Sequence, residues 1–157
     1  DSYSKYLEYD EVSKQLDEKI EKGWVKKVFK LKDLLLRGKE TRDQINILGD
    51  DSVPIEYHTI FNKSEVIDFC ILQQDGFDKV DASTPLVRQQ YMVNLVLDIC
   101  ESEFQFDGFE EVNNYFKRVI NIIKQMNYQQ FQDESFKELE VELKQLLDEK
   151  RAVAATA

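Results

Sequence analysis

The scarcity of turn-forming residues constrains the fold of this chain more than any other feature of its sequence. Only 5 glycines and 2 prolines occur among 157 residues, while 33% of the residues are charged and 42% are hydrophobic. Glycine and proline mark most turns, whereas leucine, lysine and glutamate favour helices. The balance of charge and hydrophobicity is that of a globular chain. The sequence therefore predicts an all-α fold, a bundle of about six helices.

The first part of the chain predicts two helices. A short helix is expected over residues 2–17. A second begins at Trp24, because apolar residues recur after it at intervals of three and four. Gly38 is a candidate interruption of this helix, and Gly49 is its predicted stop.

The third predicted helix follows a turn. It opens at Pro54, with Asp51 or Ser52 as its N-cap, and stops near Gly76. It carries the single histidine, His58. A lone histidine without a cysteine or serine partner in a motif is expected on the polar face of such a helix.

The second half of the chain predicts three more helices. Thr84 is the predicted N-cap of the first of these helices. Residues 91–100 of the same helix are almost wholly apolar, which is typical of the central, most buried helix of a bundle. A capping-box variant running from Asp107 to Glu110 opens the next. The last helix has apolar residues at Phe136, Leu139, Leu143, Leu146 and Leu147.

The charge of the chain is strongly negative and uneven. The formal net charge is -10, which disfavours nucleic-acid binding because phosphate contacts need a basic surface. Residues 19–42 hold nine Lys or Arg against three acids, whereas residues 89–116 hold six acids and no base. Two interpretations stay open: solvated helix faces, or two surfaces that face different partners in an assembly.

The cysteine pattern and hydropathy bear on the compartment. Cys70 and Cys100 lie among apolar residues and outside any CxxC pair, so buried reduced thiols are expected, as in a cytosolic protein. No run of 18 apolar residues occurs, and no membrane insertion is expected. The chain starts at Asp1 rather than Met, which indicates a piece of a longer protein, and residues 152–157 are expected to fray.

No self-contained active site is visible in the sequence. The chain lacks the phosphate-binding pattern GxxxxGK[ST]. Its 31 acidic residues make pairs of carboxylates uninformative about acid–base chemistry. The sequence therefore predicts neither a catalytic residue nor a metal site.

Several short motifs nevertheless occur in an informative order. They are Ser-Tyr-Ser at residues 2–4, Leu-Gly-Asp-Asp-Ser-Val-Pro at 48–54, Gln-Gln-Asp-Gly-Phe at 73–77, an Asp-rich turn at 78–81 and an aromatic-containing helix from 85. Over residues 2–105 this order resembles the C-terminal helical domain of the catalytic A subunit of V/A-type rotary ATPases.

The resemblance implies a function that belongs to a larger protein. Residues 1–151 would form the C-terminal domain of a catalytic subunit that couples ATP hydrolysis or synthesis to rotation of a central stalk and to ion transport. ATP and Mg would bind in a preceding domain, so this chain alone would not be an enzyme. Its partners would be the non-catalytic B subunits and the central-stalk subunits, in a cytoplasmic head peripheral to the membrane.

The resemblance also assigns an adenine contact. An aromatic residue at the end of the third helix packs on the adenine ring in this family, and by position it corresponds to Phe77, with Gln74 as its neighbour. Stacking on a base suits an aromatic ring because it needs no hydrogen-bond code. The alternative is that Phe77 closes the helix end as a core residue.

The loop between the second and third helices would be the stalk contact. By resemblance it comprises Gly49, Asp50, Asp51, Ser52, Val53 and Pro54. The alternative for these residues is an ordinary solvated turn. The alternative for the whole chain is a stand-alone acidic helical interaction module.

Overall fold

The computed structural model describes residues 23–72 and 85–151, and this part of the chain contains five α-helices and no β-strand. The predicted all-α class is confirmed, although five helices are seen rather than about six. The helix predicted over residues 2–17, the predicted cap Thr84 and the tail 152–157 lie outside the described residues. The helices are α1 (Trp24–Leu48), α2 (Ile55–Ile67), α3 (Pro85–Glu101), α4 (Phe109–Asn127) and α5 (Glu134–Lys150).

The first two helices, α1 and α2, make the most extensive contact between elements. Gly38 does not interrupt α1, which is continuous over 25 residues, so that prediction was wrong. A Cβ atom placed on Gly38 would lie 2.0 Å from Ser64 Oγ and 2.2 Å from Ser64 Cβ. The glycine is therefore explained by the close approach of α2 rather than by a break in α1.

The centre of the bundle is shared by α3 and α4. Within the predicted buried stretch 91–100, six residues are buried, and α4 buries seven. The buried residues of α4 lie on one face of the helix. The buried residues of the two helices are Met92, Val93, Val96, Leu97, Ile99, Cys100, Val112, Tyr115, Phe116, Val119, Ile122, Ile123 and Met126.

The two cysteines are free thiols in this core, as predicted. Burial raises the pKa of both Cys70 and Cys100 to about 12. The Cys100 thiol lies 3.7 Å from the carbonyl oxygen of Lys63 and donates to it. Both sulfurs therefore act as small apolar core groups and are poor nucleophiles in the folded chain.

The last two helices begin differently. Asp133 is the N-cap of α5, since its carboxylate accepts a 2.8 Å hydrogen bond from the Phe136 N–H. At the start of α4, the Asp107 N–H donates to Glu111 Oε1 at 2.8 Å. The predicted capping box therefore forms only in part, and with Glu111 in place of Glu110.

The end of α5 is tied back to the segment that joins α3 and α4. Phe104 and Arg151 form an isolated antiparallel bridge, and the Gln105 N–H donates to the Lys150 carbonyl at 3.0 Å. Lys150 Nζ also donates to Glu111 Oε2 at 2.6 Å, and this hydrogen bond lowers the pKa of Glu111. These contacts fix the end of α5 against the segment between α3 and α4 and against the first turn of α4.

Candidate functional site

The loop between α1 and α2 has a defined backbone. Gly49 has φ 93° and ψ 155°, a conformation that side chains with a Cβ rarely adopt. Its N–H donates to Ile45 O at 2.8 Å and closes the end of α1. Asp50–Ser52 then forms one 3₁₀ turn, in which the Ser52 N–H donates to Gly49 O at 3.1 Å. The predicted stop at Gly49 is confirmed.

The start of α2 differs from the prediction. Pro54 occupies the N-cap position, and no side chain caps the helix there. The predicted caps, Asp51 and Ser52, instead belong to the 3₁₀ turn, where both are exposed. Val53, the next residue, is buried and only 9% exposed.

His58 anchors this loop. Its side chain is only 2% exposed, so the predicted polar-face position was wrong. The Nε2–H of His58 donates to the carbonyl oxygen of Asp50 at 2.9 Å. The ring also stacks on Phe109 of α4, with centroids 5.1 Å apart and an interplanar angle of 25°. The histidine is thus a positioning group that contacts the loop through its ring edge and α4 through its ring face.

The anchor continues into the core through two asparagines. Asn62 Nδ2 donates to the His58 carbonyl at 2.8 Å and to Asn113 Oδ1 of α4 at 2.8 Å. A chain of polar contacts therefore runs from Asp50 through α2 to α4. Because buried hydrogen-bond networks of this kind rigidify what they join, the loop and the bundle are expected to move together.

The outer surface of the loop is acidic and apolar. Asp50 and Asp51 are exposed, as are Ile47 at 76% and Leu48 at 52%. The exposure of these two apolar side chains was not predicted from the sequence. The 3.6-residue period that buries Trp24 places Ile47 on the opposite side of α1, so extending that period along the helix would have identified it. An anchored loop with exposed acidic and apolar side chains suits contact with another protein.

The second predicted site lies where the structure gives no description. Gln74 and Phe77 fall outside the described residues, so their contact with adenine stays a prediction. In sequence they follow a π-helical turn at Asp68–Leu72, which comes directly after α2. Turns of this type occur frequently at functional sites. Lys124 of α4 lies over the ring of Phe69 in this turn, 4.5 Å from its centroid.

In residues 23–72 and 85–151, no group of three His, Cys, Asp or Glu side chains is placed to hold a metal ion. No helix in the same ranges combines the length and apolar composition needed to cross a bilayer.

Comparison with known proteins identifies the family. Residues 13–105 match the family model for the C-terminal domain of V and A type ATP synthase. The chain belongs to this family. The match includes the whole of α1, the Gly49–Pro54 loop, α2 and α3, and it confirms the resemblance seen in the sequence.

Curated relatives of this ATP synthase domain extend the match toward the end of α5. The chain is 38% identical over 146 residues to the V-type ATP synthase alpha chain of Chlamydia caviae, covering 92% of this chain and 24% of that protein. It is 37% identical over 117 residues to that of Borrelia duttonii, with coverages of 74% and 20%. For Protochlamydia amoebophila the identity is 30% over 148 residues, with coverages of 94% and 24%.

The share of its relatives' length that the chain spans helps to decide whether it is a stand-alone module. The chain spans 20% to 24% of the length of these relatives. A domain of a longer subunit is therefore favoured over an independent interaction module. No solved structure matches the chain at a significant level.

Proposed function

We propose that this chain is the C-terminal helical domain of the catalytic subunit of a V-type ATP synthase or ATPase, and that it couples ATP hydrolysis or synthesis to rotation of the central stalk and to ion transport. The family match supports the identity of the domain. The observation that supports the coupling role is the anchored loop, whose Asp50 carbonyl is held by buried His58.

The hydrogen bond from His58 to Asp50 couples the loop mechanically to the bundle. A loop that moves with its bundle transmits a rigid swing of the domain to whatever it touches. Its acids contribute little to this transmission, because exposed ion pairs are worth about 0–1 kcal/mol each and are screened by salt. The push on the stalk is therefore carried by shape and bulk rather than by salt bridges.

The test uses the full-length alpha chain in a reconstituted ATPase. Deletion of residues 50–52, which leaves buried Val53 in place, is expected to lower the torque measured by single-molecule rotation against a viscous load. The matched control replaces Asp50 and Asp51 by asparagine, and we expect it to retain nearly full torque. If the deletion leaves both torque and coupling unchanged, the loop is not the stalk contact.

The nucleotide contact is a second part of the proposal. Phe77 would stack on the adenine ring with Gln74 beside it, while ATP and Mg are held by the preceding domain of the subunit. Phe77→Ala in the full-length complex is then expected to weaken nucleotide binding by about 1–3 kcal/mol. The alternative core role predicts unchanged affinity together with a loss of about 3–5 kcal/mol in domain stability.

The remaining proposals concern partners and activity. The domain would lie beside non-catalytic B subunits and the central-stalk subunits, in a cytoplasmic head peripheral to the membrane. The isolated chain, which lacks a phosphate-binding loop, is expected to show no ATP turnover. Magnesium-dependent hydrolysis that co-purifies with the isolated chain through successive columns would contradict this.

A further inference from the structure

A groove of about 620 Å³ lies between the first half of α1 and the last residues of α3. Its α1 wall extends from Lys26 to Arg37, and its α3 wall extends from Leu97 to Glu101. The 11 positions from Lys26 to Arg37 correspond to roughly 17 Å, or about three turns, along a helix. The groove is therefore long enough to receive three turns of another helix.

The inner part of the groove is apolar. Its most buried lining residues are Leu97 and Cys100 of α3, which are 6% and 5% exposed. Leu34 of α1 packs against the same core in a partly buried position. Phe29 of α1 lines the groove and keeps 38% of its surface exposed. An apolar side chain that enters the groove exchanges water for these groups, which is the main favourable term in protein association.

The charged side chains of the groove are mostly basic. Lys26, Lys30 and Arg37 are exposed, and intervals of four and seven residues place them on one side of α1. The acids that line the groove are Asp33 and Glu101, and Lys30 Nζ lies 3.5 Å from Glu101 Oε2. In a chain with a formal net charge of -10, this excess of bases makes the groove a local positive surface.

A fourth base lies next to the groove. Lys63 of α2 interacts electrostatically with Arg37 and Cys100, which both line the groove. Its ammonium donates to the Ser102 carbonyl at 2.7 Å and lies 5.6 Å from the centroid of the Phe104 ring. Burial is the largest cause that lowers the pKa of Lys63, and the Arg37 charge also lowers it. A negative group at this end of the groove would offset the repulsion between the two cations.

Contacts between α1 and α3 fix the walls of the groove. Lys27 Nζ donates to Asn94 Oδ1 at 2.7 Å, one helical turn before Leu97. The ion pair between Lys30 and Glu101 joins the same two helices farther along. Because the walls are already held together, little ordering is needed when a ligand binds.

We propose that this groove is a docking site for an acidic amphipathic helix of another protein. The apolar side chains of that helix contact Phe29 and Leu97, as in other complexes in which a helix occupies a groove. Its Asp or Glu side chains pair with Lys26 and Arg37, which selects the partner and speeds its approach. The site is separate from the proposed stalk contact, since Arg37 precedes Gly49 by 12 residues, about 18 Å of helix.

Other occupants fit the groove less well. A second copy of the chain also has a formal net charge of -10, so long-range repulsion opposes self-association. The same repulsion acts against an anionic lipid surface and against nucleic acid. An acidic helix that places its carboxylates only at the basic wall reduces this cost.

The test measures binding of synthetic peptides to the full-length alpha chain by fluorescence anisotropy. The probe is a helix-forming peptide of about 15 residues, with leucines at intervals of three and four and glutamates beside them. The comparison peptide has glutamine at every glutamate position. We expect the glutamate peptide to bind at least about tenfold more tightly at low salt, because three exposed ion pairs together are worth about 1.4 kcal/mol. The difference should shrink as salt is added.

Two charge variants locate the binding site. The groove variant combines Lys26→Gln, Lys30→Gln and Arg37→Gln, and it should bind the glutamate peptide about tenfold more weakly. The matched control removes the same charge by glutamine substitution of three lysines that are exposed outside the groove, and it should bind nearly as wild type does. These lysines are Lys117, Lys137 and Lys144.

Two apolar variants test the contact with the leucines of the peptide. Phe29→Ser should weaken binding of both peptides. Leu36→Ser is the control on the same helix, because Leu36 is 55% exposed and does not line the groove. Circular dichroism of each variant checks that the helices are retained.

The docking site is supported if the groove variant and Phe29→Ser weaken binding while both controls do not. Equal affinity for the two peptides, equal losses in the two charge variants, or no measurable binding of either peptide would overturn it. Self-association of the alpha chain that the groove variant abolishes would also overturn it, because a second copy would then be the occupant. Binding to phosphatidylserine vesicles that the groove variant abolishes would assign the groove to a lipid surface instead.

Discussion

Replacing Gly38 by alanine is expected to destabilise the bundle, although alanine is the better helix former. The new Cβ would lie 2.0 Å from Ser64 Oγ and 2.2 Å from Ser64 Cβ. The second distance decides the outcome, because Ser64 Cβ cannot swing away as the end of a flexible side chain does. The contact between α1 and α2 must open.

The magnitude follows from two opposing terms. Overpacking costs about 1–3 kcal/mol, and a Cβ-to-Cβ overlap belongs near the upper end at about 3 kcal/mol. The better helix propensity of alanine offsets about 1 kcal/mol of this cost. The Gly38→Ala variant should therefore be less stable by about 2 kcal/mol.

A second substitution, at Ser64, tests whether the overlap with Gly38→Ala causes the loss of stability. Ser64→Gly alone removes the 2.6 Å hydrogen bond from Ser64 Oγ to the Phe61 carbonyl and lowers helix propensity, for a loss of about 1.5 kcal/mol. In the double variant the overlap is gone, and the net loss should be about 0.5 kcal/mol. The two changes are thus coupled by about 3 kcal/mol.

Urea unfolding followed by circular dichroism of the four proteins in this mutant cycle measures the coupling. A Gly38→Ala variant as stable as wild type, or losses that simply add in the double variant, would refute the close approach of α1 and α2 at this point.

His58→Ala should cost about 2 kcal/mol, because the hydrogen bond to Asp50 and the ring stacking are lost together. It should also speed hydrogen exchange of the loop amides, and unchanged exchange would argue against the anchor. Asp133→Ala should cost about 1 kcal/mol as a lost N-cap while Asp133→Asn costs less, and equal melting temperatures for the two variants would contradict the cap. Stability from the neutral thiols of Cys70 and Cys100 is fully present below pH 9.0, the unperturbed value, and is lost as the pH rises toward about 12. The urea midpoint should fall over this window, and less steeply when both cysteines are alanine; identical slopes would show that the thiols do not contribute.

The helical faces were predictable because they depend on local periodicity. The last helix shows this directly, since Phe136, Leu143, Leu146 and Leu147 are buried as the spacing predicts. Leu139 packs against them in a partly buried position. Each of these residues is placed by the 3.6-residue repeat of its own helix, without information from elsewhere in the chain.

The corrections share a different cause, since they depend on contacts between distant residues. Gly38 resembles a helix breaker until Ser64 of another helix is seen beside it. His58 resembles a surface residue until Phe109, 51 positions later, supplies the ring on which it stacks. Local pattern cannot reveal partners of this kind. The candidate loop was thus predicted in position by its Leu-Gly-acidic motif, but its anchor was not.

The π-helical turn at Asp68–Leu72 has a consequence for comparing this domain with its relatives. Such a turn accommodates one residue more than an α-helical turn, so it is the form that a single inserted residue takes inside a helix. Loss of one residue here would restore the α-helical repeat and leave the residues on either side in phase, because residue i+5 of a π turn takes the place that residue i+4 has in an α-helix. Relatives that differ by one residue between Asp68 and Leu72 can therefore keep the packing of α1 on α2 intact. An alignment gap at this position would mark a local change in helix winding rather than a change of fold.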